Sequence, residues 1–517
     1  DDRAYQLSYF ALMMKALQYD KRLLTRKNDP SIRCIEPNIC AVQESNGLHV
    51  REYEGERLSL LDLPRSVAEY LIEVFHDAKE YGSLLNVRDD QYDALSGYLE
   101  ELQQKGASNL LVQGWLNTIS ERMPALIKQA KIMSLKFDVV VTNPPYMGGK
   151  GQCGAISDFL KNNYPDTKSD TFSAFIERCG DMSKRNGFVG MFTPYVWMFI
   201  QSYEKLRNLL YSKKDILTLI QFEYSAFEEA TVPVCSFAFR NQKTGMTGEY
   251  LRLVDFRGGM EIQREKTLEA ITNPKCDYRY TANSESFKKI PGCPVAYWAS
   301  DKLFICFENF DSISDHFQVR NGITTGDNNQ FLRLWFEVSN IGVKWFSCNK
   351  GGAFRKWSGN REYLIDWEND GARLRYFTDE YGKFRATLRG IDYNFSAGIT
   401  MSRVTSGEVS FREMLVDSLS ESATNALYPI KDEETIVPFA MGLLNSKVVS
   451  YILSLINPTL NVVPEDIRSL PILLERVEEA VAYVQNSISN SRSDWDSFET
   501  SWDFKRHPLV SEKIREE

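Results

Sequence analysis

The sequence is poor in the residues that build metal sites and disulfide frameworks. Its 517 residues include only 4 histidines, and its 9 cysteines are scattered along the chain. Cys34 and Cys40 are the closest pair, and no histidine stands near them to complete a zinc set. We therefore expect free thiols in a reducing cytoplasm and no bound metal.

Long apolar runs and an excess of positive charge are also lacking. The longest apolar run, near residues 188–200, is too short and interrupted to span a bilayer, so we expect neither a signal peptide nor membrane association. The net charge is −9, but residues 240–410 carry 24 basic and 21 acidic side chains, whereas residues 411–517 carry 10 and 18. The middle of the chain is therefore the least unfavourable place for a phosphate backbone.

What is present is typical of a globular protein of two or three domains, with 43% hydrophobic and 25% charged residues. Helical spacing of apolar residues predicts helices over residues 1–24, 58–79, 203–211 and 438–456. Short runs of β-branched and aromatic residues predict strands over residues 187–194 and 216–222 and in the second half of residues 227–239.

The most informative stretch is residues 137–146, which read Phe-Asp-Val-Val-Val-Thr-Asn-Pro-Pro-Tyr. The β-branched run predicts a strand that is buried on both faces. The two prolines cannot continue that strand, because they remove backbone donors and fix the chain direction. Asn143 therefore lies at the carboxyl end of a strand, where open α/β sheets bind their ligands.

The side chains of this turn suit the binding of an exocyclic amine. Asn143 offers a side-chain carbonyl, Pro144 offers a backbone carbonyl without a competing N–H, and Tyr146 offers a flat aromatic face. Two acceptors aimed at an NH2 group would favour a nitrogen that becomes tetrahedral as it attacks a methyl group. The alternative is a plain proline turn after a core strand, with Tyr146 as ordinary packing.

Residues 137–146 resemble the catalytic motif of S-adenosylmethionine-dependent amino-methyltransferases that act on DNA, mostly at adenine N6. The resemblance runs along most of the chain. Further stretches, given below, narrow it to methyltransferases of the BREX phage-exclusion system (PglX) and their relatives in restriction-modification. It implies a class I, Rossmann-like fold, S-adenosyl-L-methionine as cofactor, double-stranded DNA as partner and a cytoplasmic enzyme. It assigns catalysis to Asn143, Pro144, Pro145 and Tyr146.

The resemblance also implies cofactor contacts, to which Asn143 contributes. In the family an acidic residue that binds ribose runs straight into a helix, and Asp1 matches it. A Gly-Asp-x-Leu-like element meets the adenine of the cofactor; this chain has Ser83 in place of the acid, followed by Leu84. The glycine-rich loop of the family should lie before Asp1. We therefore expect a fragment, inactive alone, that lacks the upstream cofactor-binding half; the alternative is a true start with a degenerate cofactor site.

Two more positions match family elements around the target base. Phe227 corresponds to the aromatic residue that stacks on the base opposite Tyr146, and the alternative is a core plug. Asp170 begins a predicted helix, where family residues help to line the pocket, although plain helix capping is the favoured interpretation. The small, flexible residues 147–152 either close over a flipped base or only connect elements.

Residues 322–332, 351–357 and 365–371 resemble runs in target-recognition domains of these methyltransferases. Hydroxyls and amides in a glycine-flanked loop can contact phosphates or base edges, and an Arg-Lys pair beside a tryptophan adds charge and a stacking plane. The predicted DNA contacts are Thr324, Thr325, Asn328, Arg355, Lys356 and Trp357. The alternative stays open that the basic pair is only solvated and that the aromatic residue is core.

The predicted fold is α/β: a Rossmann-like methyltransferase domain, incomplete at its N-terminus, over residues 1–292, an α+β target-recognition domain over 293–472 and a helical tail over 473–517. The predicted function is methylation of adenine N6 at specific DNA sites in phage defence. One alternative is a DNA-binding scaffold of a defence complex, with other phage-defence proteins as partners. Another is a methyltransferase for RNA or a protein amide. No nuclease-like acidic cluster is found.

Overall fold

The computed structural model describes residues 2–21, 37–49, 63–105, 110–149, 151–224, 226, 232–405, 407–431, 434–457 and 460–513. The chain forms two compact units. The first contains residues 1–197 and 208–281, and the second contains residues 198–207 and 282–517. The domain limits expected at residues 292 and 472 stay predictions.

The first unit is a mixed α/β structure. Its helices are α1 (Asp2–Tyr19), α2 (Leu63–Val74), α3 (Ala78–Tyr81), α4 (Tyr92–Lys105), α5 (Leu110–Ser134), α6 (Gly154–Asn163), α7 (Thr171–Met182), α8 (Glu204–Lys213), whose first turn belongs to the second unit, and α9 (Gly259–Thr272). Its strands are β1 (Phe137–Thr142), β2 (Ser183–Pro194), β3 (Asp215–Gln221), β4 (Val234–Arg240), β5 (Gly248–Arg252) and β6 (Arg279–Ala282). The helix predicted over residues 58–79 is interrupted where Asp77, at φ 53°, bonds to Asn46.

The six strands form one sheet in the order β1-β2-β4-β3-β5-β6. Strands β1 and β2 are parallel, β4 is antiparallel to both β2 and β3, and β3 is parallel to β5. Helices α6 and α7 connect β1 to β2, and α7 packs against both strands. This arrangement confirms the α/β prediction and places the carboxyl ends of β1 and β2 side by side.

Strand β1 is not buried on both faces, so that prediction is wrong. Val139 is 59% exposed and Val141 is 74% exposed. Within the described residues β1 has a single neighbour in the sheet, β2, and the face that carries these two valines has no cover. Helix α1 forms as expected, but none of its described residues is buried.

The second unit combines short helices with small sheets. Its helices are α10 (Asp301–Asn309), α11 (Ile313–His316), α12 (Asn328–Phe331), α13 (Glu368–Arg375), α14 (Ile436–Leu444), α15 (Lys447–Ile456), α16 (Pro464–Arg468), α17 (Val477–Trp495) and α18 (Pro508–Lys513). Its strands are β7 (Asp311–Ser312), β8 (Phe317–Asn321), β9 (Leu332–Leu334), β10 (Trp345–Asn349), β11 (Tyr363–Asp366), β12 (Gly398–Ser402), β13 (Phe411–Met414), β14 (Ser418–Ser420), β15 (Thr424–Pro429) and β16 (Pro471–Ile472).

Two four-stranded sheets form the body of this unit, in the orders β14-β10-β11-β9 and β13-β12-β15-β8. The helix predicted over residues 438–456 is two helices, because the chain turns between α14 and α15. Asn445 ends α14 and bonds through its side chain to the backbone of Phe411, at 2.9 Å for both the amide and the carbonyl. Ser446 then caps α15 by accepting a hydrogen bond from the amide of Val449.

In the part of the chain that the structure describes, no single helix has both the length and the apolar character needed to cross a membrane. Helices α14 and α15 are bent by 66° relative to each other. Taken together, they satisfy both criteria, by length and composition only.

Candidate active site

The turn after β1 presents the predicted side chains at the edge of the sheet. Asn143 directly follows the last residue of β1 and is exposed, Pro144 is buried, and Tyr146 is 39% exposed. Burial of Pro144 fixes the turn against the protein, while its neighbours face solvent. The turn therefore holds an amide and an aromatic ring at the end of a strand, in reach of a ligand.

Tyr146 forms a hydrogen bond with Asn143, which lies in the same turn. Its hydroxyl lies 2.9 Å from Oδ1 of Asn143 and 3.2 Å from the backbone oxygen of Phe192, so its proton is shared between two acceptors. Phe192 belongs to β2, so the tyrosine links the carboxyl ends of the two parallel strands. Its ring also meets Phe172 edge to face, with centroids 6.2 Å apart.

These hydrogen bonds determine which part of the Asn143 side chain is available to a ligand. The hydroxyl of Tyr146 identifies Oδ1 as the acceptor side of the amide and occupies one of its two lone pairs. The other lone pair stays available to an external N–H donor. Desolvation, with a smaller effect of the nearby Cys235 thiol, raises the pKa of Tyr146 to about 12, so its hydroxyl keeps its proton at physiological pH.

The loop after the turn is tied to the start of α7. Oδ1 of Asp170 accepts hydrogen bonds from the amides of Met147, at 2.9 Å, and Phe172, at 3.2 Å. The hydroxyl of Thr171 donates to the backbone oxygen of Pro145 at 2.7 Å. Gly148 pairs with Asp170, and a Cβ at Gly148 would lie 3.2 Å from the carboxylate. The helix terminus therefore sets the position of the turn that holds Asn143 and Tyr146.

Asp170 is a helix cap, as the favoured interpretation predicted. It forms a capping box with Ser173 at the start of α7. Burial raises the pKa of its carboxyl, although the hydrogen bonds from Met147, Phe172 and Thr171 oppose that shift. Because Asp170 also bonds to Met147, one carboxylate both begins the helix and orders the loop.

The predicted cofactor residues differ in accessibility. Ser83 is exposed and Leu84 is only 4% exposed. Both backbone oxygens are already used, because buried Arg178 donates to Ser83 at 3.1 Å and the hydroxyl of Tyr164 donates to Leu84. Their role toward a cofactor stays a prediction. Asp1 and Phe227 lie outside the described residues.

A cavity of about 840 Å³ opens in the first unit, next to the residue that precedes Ser83. Its lining includes Gly82 and Lys79 on one side, the first turn of α1 on another, and the apolar segment 39–42. Asp2, one residue after the predicted Asp1, lines it and accepts a bond from Gln43 at 3.3 Å. In the described residues no three His, Cys, Asp or Glu side chains are grouped to hold a metal.

The residues predicted to contact DNA lie in the second unit, in two different places. Thr324 pairs through its backbone with Thr387, and the hydroxyl of Thr325, which is 1% exposed, donates to Asn328 at 2.6 Å. This loop is therefore held by its own polar groups. Its contact with DNA stays a prediction.

Arg355, Lys356 and Trp357 are engaged with other parts of their unit. Arg355 forms an ion pair with Asp494 at 2.9 Å, and Lys356 donates to the backbone oxygen of Asn445 at 3.0 Å. Trp357 is half-buried and pairs through its backbone with β13. The structure thus gives the basic pair a role in fastening helices, and DNA contact by these residues stays a prediction.

Sequence reasoning missed Phe192 and Thr171, which hold the turn. Phe192 acts through its backbone oxygen, and a backbone contact leaves no trace in residue type. Thr171 follows a helix cap, where a hydroxyl is common, so its bond to Pro145 needed the structure.

The chain is similar to a known protein family and to two curated proteins. The model of the Eco57I restriction-modification methylase family matches residues 1–227. The adenine-specific methyltransferase BrxX of Escherichia coli O9:H4 (strain HS) is 33% identical over 538 residues, which cover 99% of this chain and 43% of that protein. The adenine-specific methyltransferase PglX of Lacticaseibacillus casei (strain Zhang) is 32% identical over 532 residues, covering 99% and 43%.

The chain is a homologue of the adenine-specific methyltransferases BrxX and PglX. It spans less than half of the length of either relative. The predicted resemblance to BREX and restriction-modification methyltransferases is thereby confirmed. Among solved structures, that of the Type IIL restriction-modification enzyme MmeI in complex with DNA aligns with a TM-score of 0.47 and 14% identity, covering 73% of this chain and 53% of that one.

Proposed function

We propose that this BrxX/PglX homologue belongs to an enzyme that methylates N6 of adenine in double-stranded DNA, in phage defence. The hydrogen bond between Tyr146 and Asn143 Oδ1 carries the proposal. It orients an amide acceptor at the carboxyl end of β1, beside an aromatic ring, in a chain similar to adenine-specific methyltransferases along 99% of its length. The amide acceptor would bind the N6 amine, and the aromatic ring would stack on the adenine base.

In the proposed mechanism the N6 amine donates one hydrogen to Asn143 Oδ1 and the other to the backbone oxygen of Pro144. These bonds favour lone-pair density on N6 in a tetrahedral geometry, which an in-line attack on a methyl group requires. S-adenosyl-L-methionine, when bound, supplies that methyl as a sulfonium. Transfer of that methyl would form the new N–C bond, leave the sulfonium as a neutral thioether, and release the extra proton of N6 to water. Positioning and preorganised acceptors, rather than a strong base, supply the catalysis.

The ring of Tyr146 would stack on the adenine once it leaves the duplex. A flipped base loses its stacking neighbours, and aromatic side chains can replace them. Phe227 stays the predicted partner on the opposite face of the base.

The cavity beside Gly82 fits part of the cofactor. Asp2 supplies a carboxylate suited to ribose hydroxyls, and the apolar segment 39–42 suits an adenine ring. Ser83 and Leu84 follow Gly82 directly; the side chain of Ser83 is exposed to a ligand, whereas that of Leu84 is buried. These residues would hold the nucleoside part of S-adenosyl-L-methionine.

The test is methyl transfer from labelled S-adenosyl-L-methionine to unmethylated genomic DNA, with modified positions identified by sequencing. The 517-residue chain and an N-terminally extended version are compared, each with and without Asn143→Ala. We expect Asn143→Ala to abolish methylation, because the N6 acceptor is lost, while DNA affinity is retained. Asn162→Ala, at an exposed position in α6, is the matched control and should methylate normally.

The outcomes separate the alternatives. Loss of DNA binding together with methylation in Asn143→Ala would contradict the assignment of Asn143 to catalysis alone. If the extended protein binds DNA but never transfers methyl groups, alone or with partner proteins, the protein is a recognition scaffold. Transfer to RNA or to a protein amide in parallel reactions, without transfer to DNA, would replace the proposed substrate.

A further inference from the structure

Residues 376–389, here called the aromatic hairpin, form a closed turn in the second unit. Thr378 pairs with Phe384, and the amide of Asp379 donates to the backbone oxygen of Lys383 at 2.9 Å. The carboxylate of Asp379 accepts from the amides of Tyr381, at 3.0 Å, and Lys383, at 2.9 Å. The tip is therefore fixed by its own hydrogen bonds.

The base of the hairpin is anchored in the core. Phe377 packs edge to face on the fully buried Phe331, with centroids 5.0 Å apart. Thr387 exchanges two backbone hydrogen bonds with Thr324, at 2.8 and 2.9 Å. A rigid base therefore carries the tip, and it stands beside the loop that was predicted to contact DNA.

Three aromatic side chains of the hairpin face solvent. Tyr376 is 77% exposed, Tyr381 is 87% exposed and Phe384 is 64% exposed. Aromatic rings contribute to folding when they are buried, so these three add little to the stability of the unit. Three exposed aromatic rings on one hydrogen-bonded turn give it apolar surface that is available to a partner.

The hairpin also carries positive charge that the fold leaves unused. Lys383 and Arg389 are exposed, and neither takes part in an ion pair with any described residue. Arg385, in contrast, lies over the ring of Phe377 and donates to the backbone oxygen of Gly326. The acidic residues of the hairpin are Asp379, whose carboxylate is used by the turn, and the exposed Glu380.

We propose that the aromatic hairpin is a DNA-binding element, with Lys383 and Arg389 on backbone phosphates and Tyr381 and Phe384 against bases or sugars. The proposal rests on the proposed function, which supplies DNA as the partner. Free cations complement the phosphate backbone of DNA, and exposed rings can contact the sugars and base edges of a duplex groove. A partner protein would need an acidic surface to bind Lys383 and Arg389 as favourably as DNA does.

The test measures the affinity of the 517-residue chain for a fluorescent 30-base-pair duplex across a series of salt concentrations. Each lost phosphate contact reduces the slope of log K against log salt by about 0.9, so we expect the double change Lys383→Ala and Arg389→Ala to reduce it by about 1.8. Loss of the ring contacts with sugars and base edges should lower the affinity of the double change Tyr381→Ala and Phe384→Ala by about tenfold, with little change in slope.

Matched controls come from the same unit. Tyr483 is 70% exposed and Lys302 is exposed, so Tyr483→Ala and Lys302→Ala remove the same chemical groups elsewhere. All variants change exposed side chains, and thermal unfolding should show them folded.

Hairpin variants that bind DNA like the controls, with an unchanged salt slope, would overturn the proposal. A loss of binding to an acidic protein partner but not to DNA would overturn it too. The proposed function is tested independently of the hairpin. If Asn143→Ala leaves methylation intact, Asn143 is not the catalytic acceptor. The DNA affinity of the hairpin variants is measured without methylation and does not depend on that result.

Discussion

At the scale of single residues, the motif predicted which side chains meet but not how. Asn143 and Tyr146 are close in sequence, so their grouping follows from one turn. The structure adds that the tyrosine hydroxyl bonds to the asparagine carbonyl. In the proposed function, Tyr146 therefore positions the acceptor and also stacks on the base.

Tyr146→Phe separates these two roles. It keeps the ring but removes the donor to Asn143, and a neutral hydrogen bond contributes about 0.5–1.5 kcal/mol. We expect the rate of methyl transfer at saturating DNA to fall by about two- to tenfold, with the KM for DNA nearly unchanged. Tyr146→Ala, which also loses the ring, should raise that KM. A phenylalanine variant with the full rate would show that the hydrogen bond has no part in catalysis.

The pH profile checks the same bond. Because burial raises the pKa of Tyr146 to about 12, the hydroxyl keeps its proton as the pH rises through the range in which an exposed tyrosine ionises. The methylation rate should therefore show no fall from this group between pH 7 and about 10. A fall in that range that disappears in Tyr146→Phe would contradict the protonated donor.

The sequence could locate side chains that act within a few residues of one another. Asn143, Tyr146 and the cap Asp170 were all found in this way. It could not show that Phe192 contributes a backbone oxygen, or that Arg355 reaches Asp494 in a helix far along the chain. Contacts of this kind depend on which elements the fold brings together.

At the scale of elements, most helices and strands followed from local patterns. Burial did not, because it depends on neighbours that the local pattern does not specify. The β-branched run of β1 is typical of a strand covered on both faces, yet Val141 is 74% exposed. The prediction of one helix over residues 438–456 failed for a local reason: Ser446 starts a new helix by capping it.

Asp170 links two elements, and its substitution should affect both. Asp170→Ala removes the cap of α7 and the acceptor for Met147, which should lower the free energy of unfolding by about 1–2 kcal/mol and reduce methylation. Asp170→Asn keeps an acceptor oxygen and should retain both properties. Chemical unfolding monitored by circular dichroism measures the first, and labelled methyl transfer measures the second.

The dependence on pH provides a control. Because burial raises the pKa of Asp170, its charged form costs stability at neutral pH, and this cost is relieved as the pH falls through the folded-state pKa. Any gain in stability of Asp170→Asn over the natural protein should therefore shrink in acid. A gain that grows as the pH falls would contradict this electrostatic account.

At the scale of the whole molecule, the sequence predicted a catalytic part, a recognition part and a helical tail. Helix α17, which lies in the predicted tail, packs within the second unit. Helix α17 packs on α14 so closely that a Cβ at Gly442 would lie 2.6 Å from Val484. Ser491 bonds to two backbone oxygens, and Arg492 forms an ion pair with Glu413 at 2.7 Å.

Val484→Asp tests whether α17 is required for the second unit. Val484 is 5% exposed, and replacing it with an unpaired charge should lower the free energy of unfolding by about 3 kcal/mol or more. DNA affinity should fall with it, because the aromatic hairpin belongs to the same unit. Tyr483→Ala changes the neighbouring residue, which is 70% exposed, and should stay within about 0.5 kcal/mol of the natural protein. If Val484→Asp unfolds like this control, helix α17 is a separable tail, and the recognition unit is stable without it.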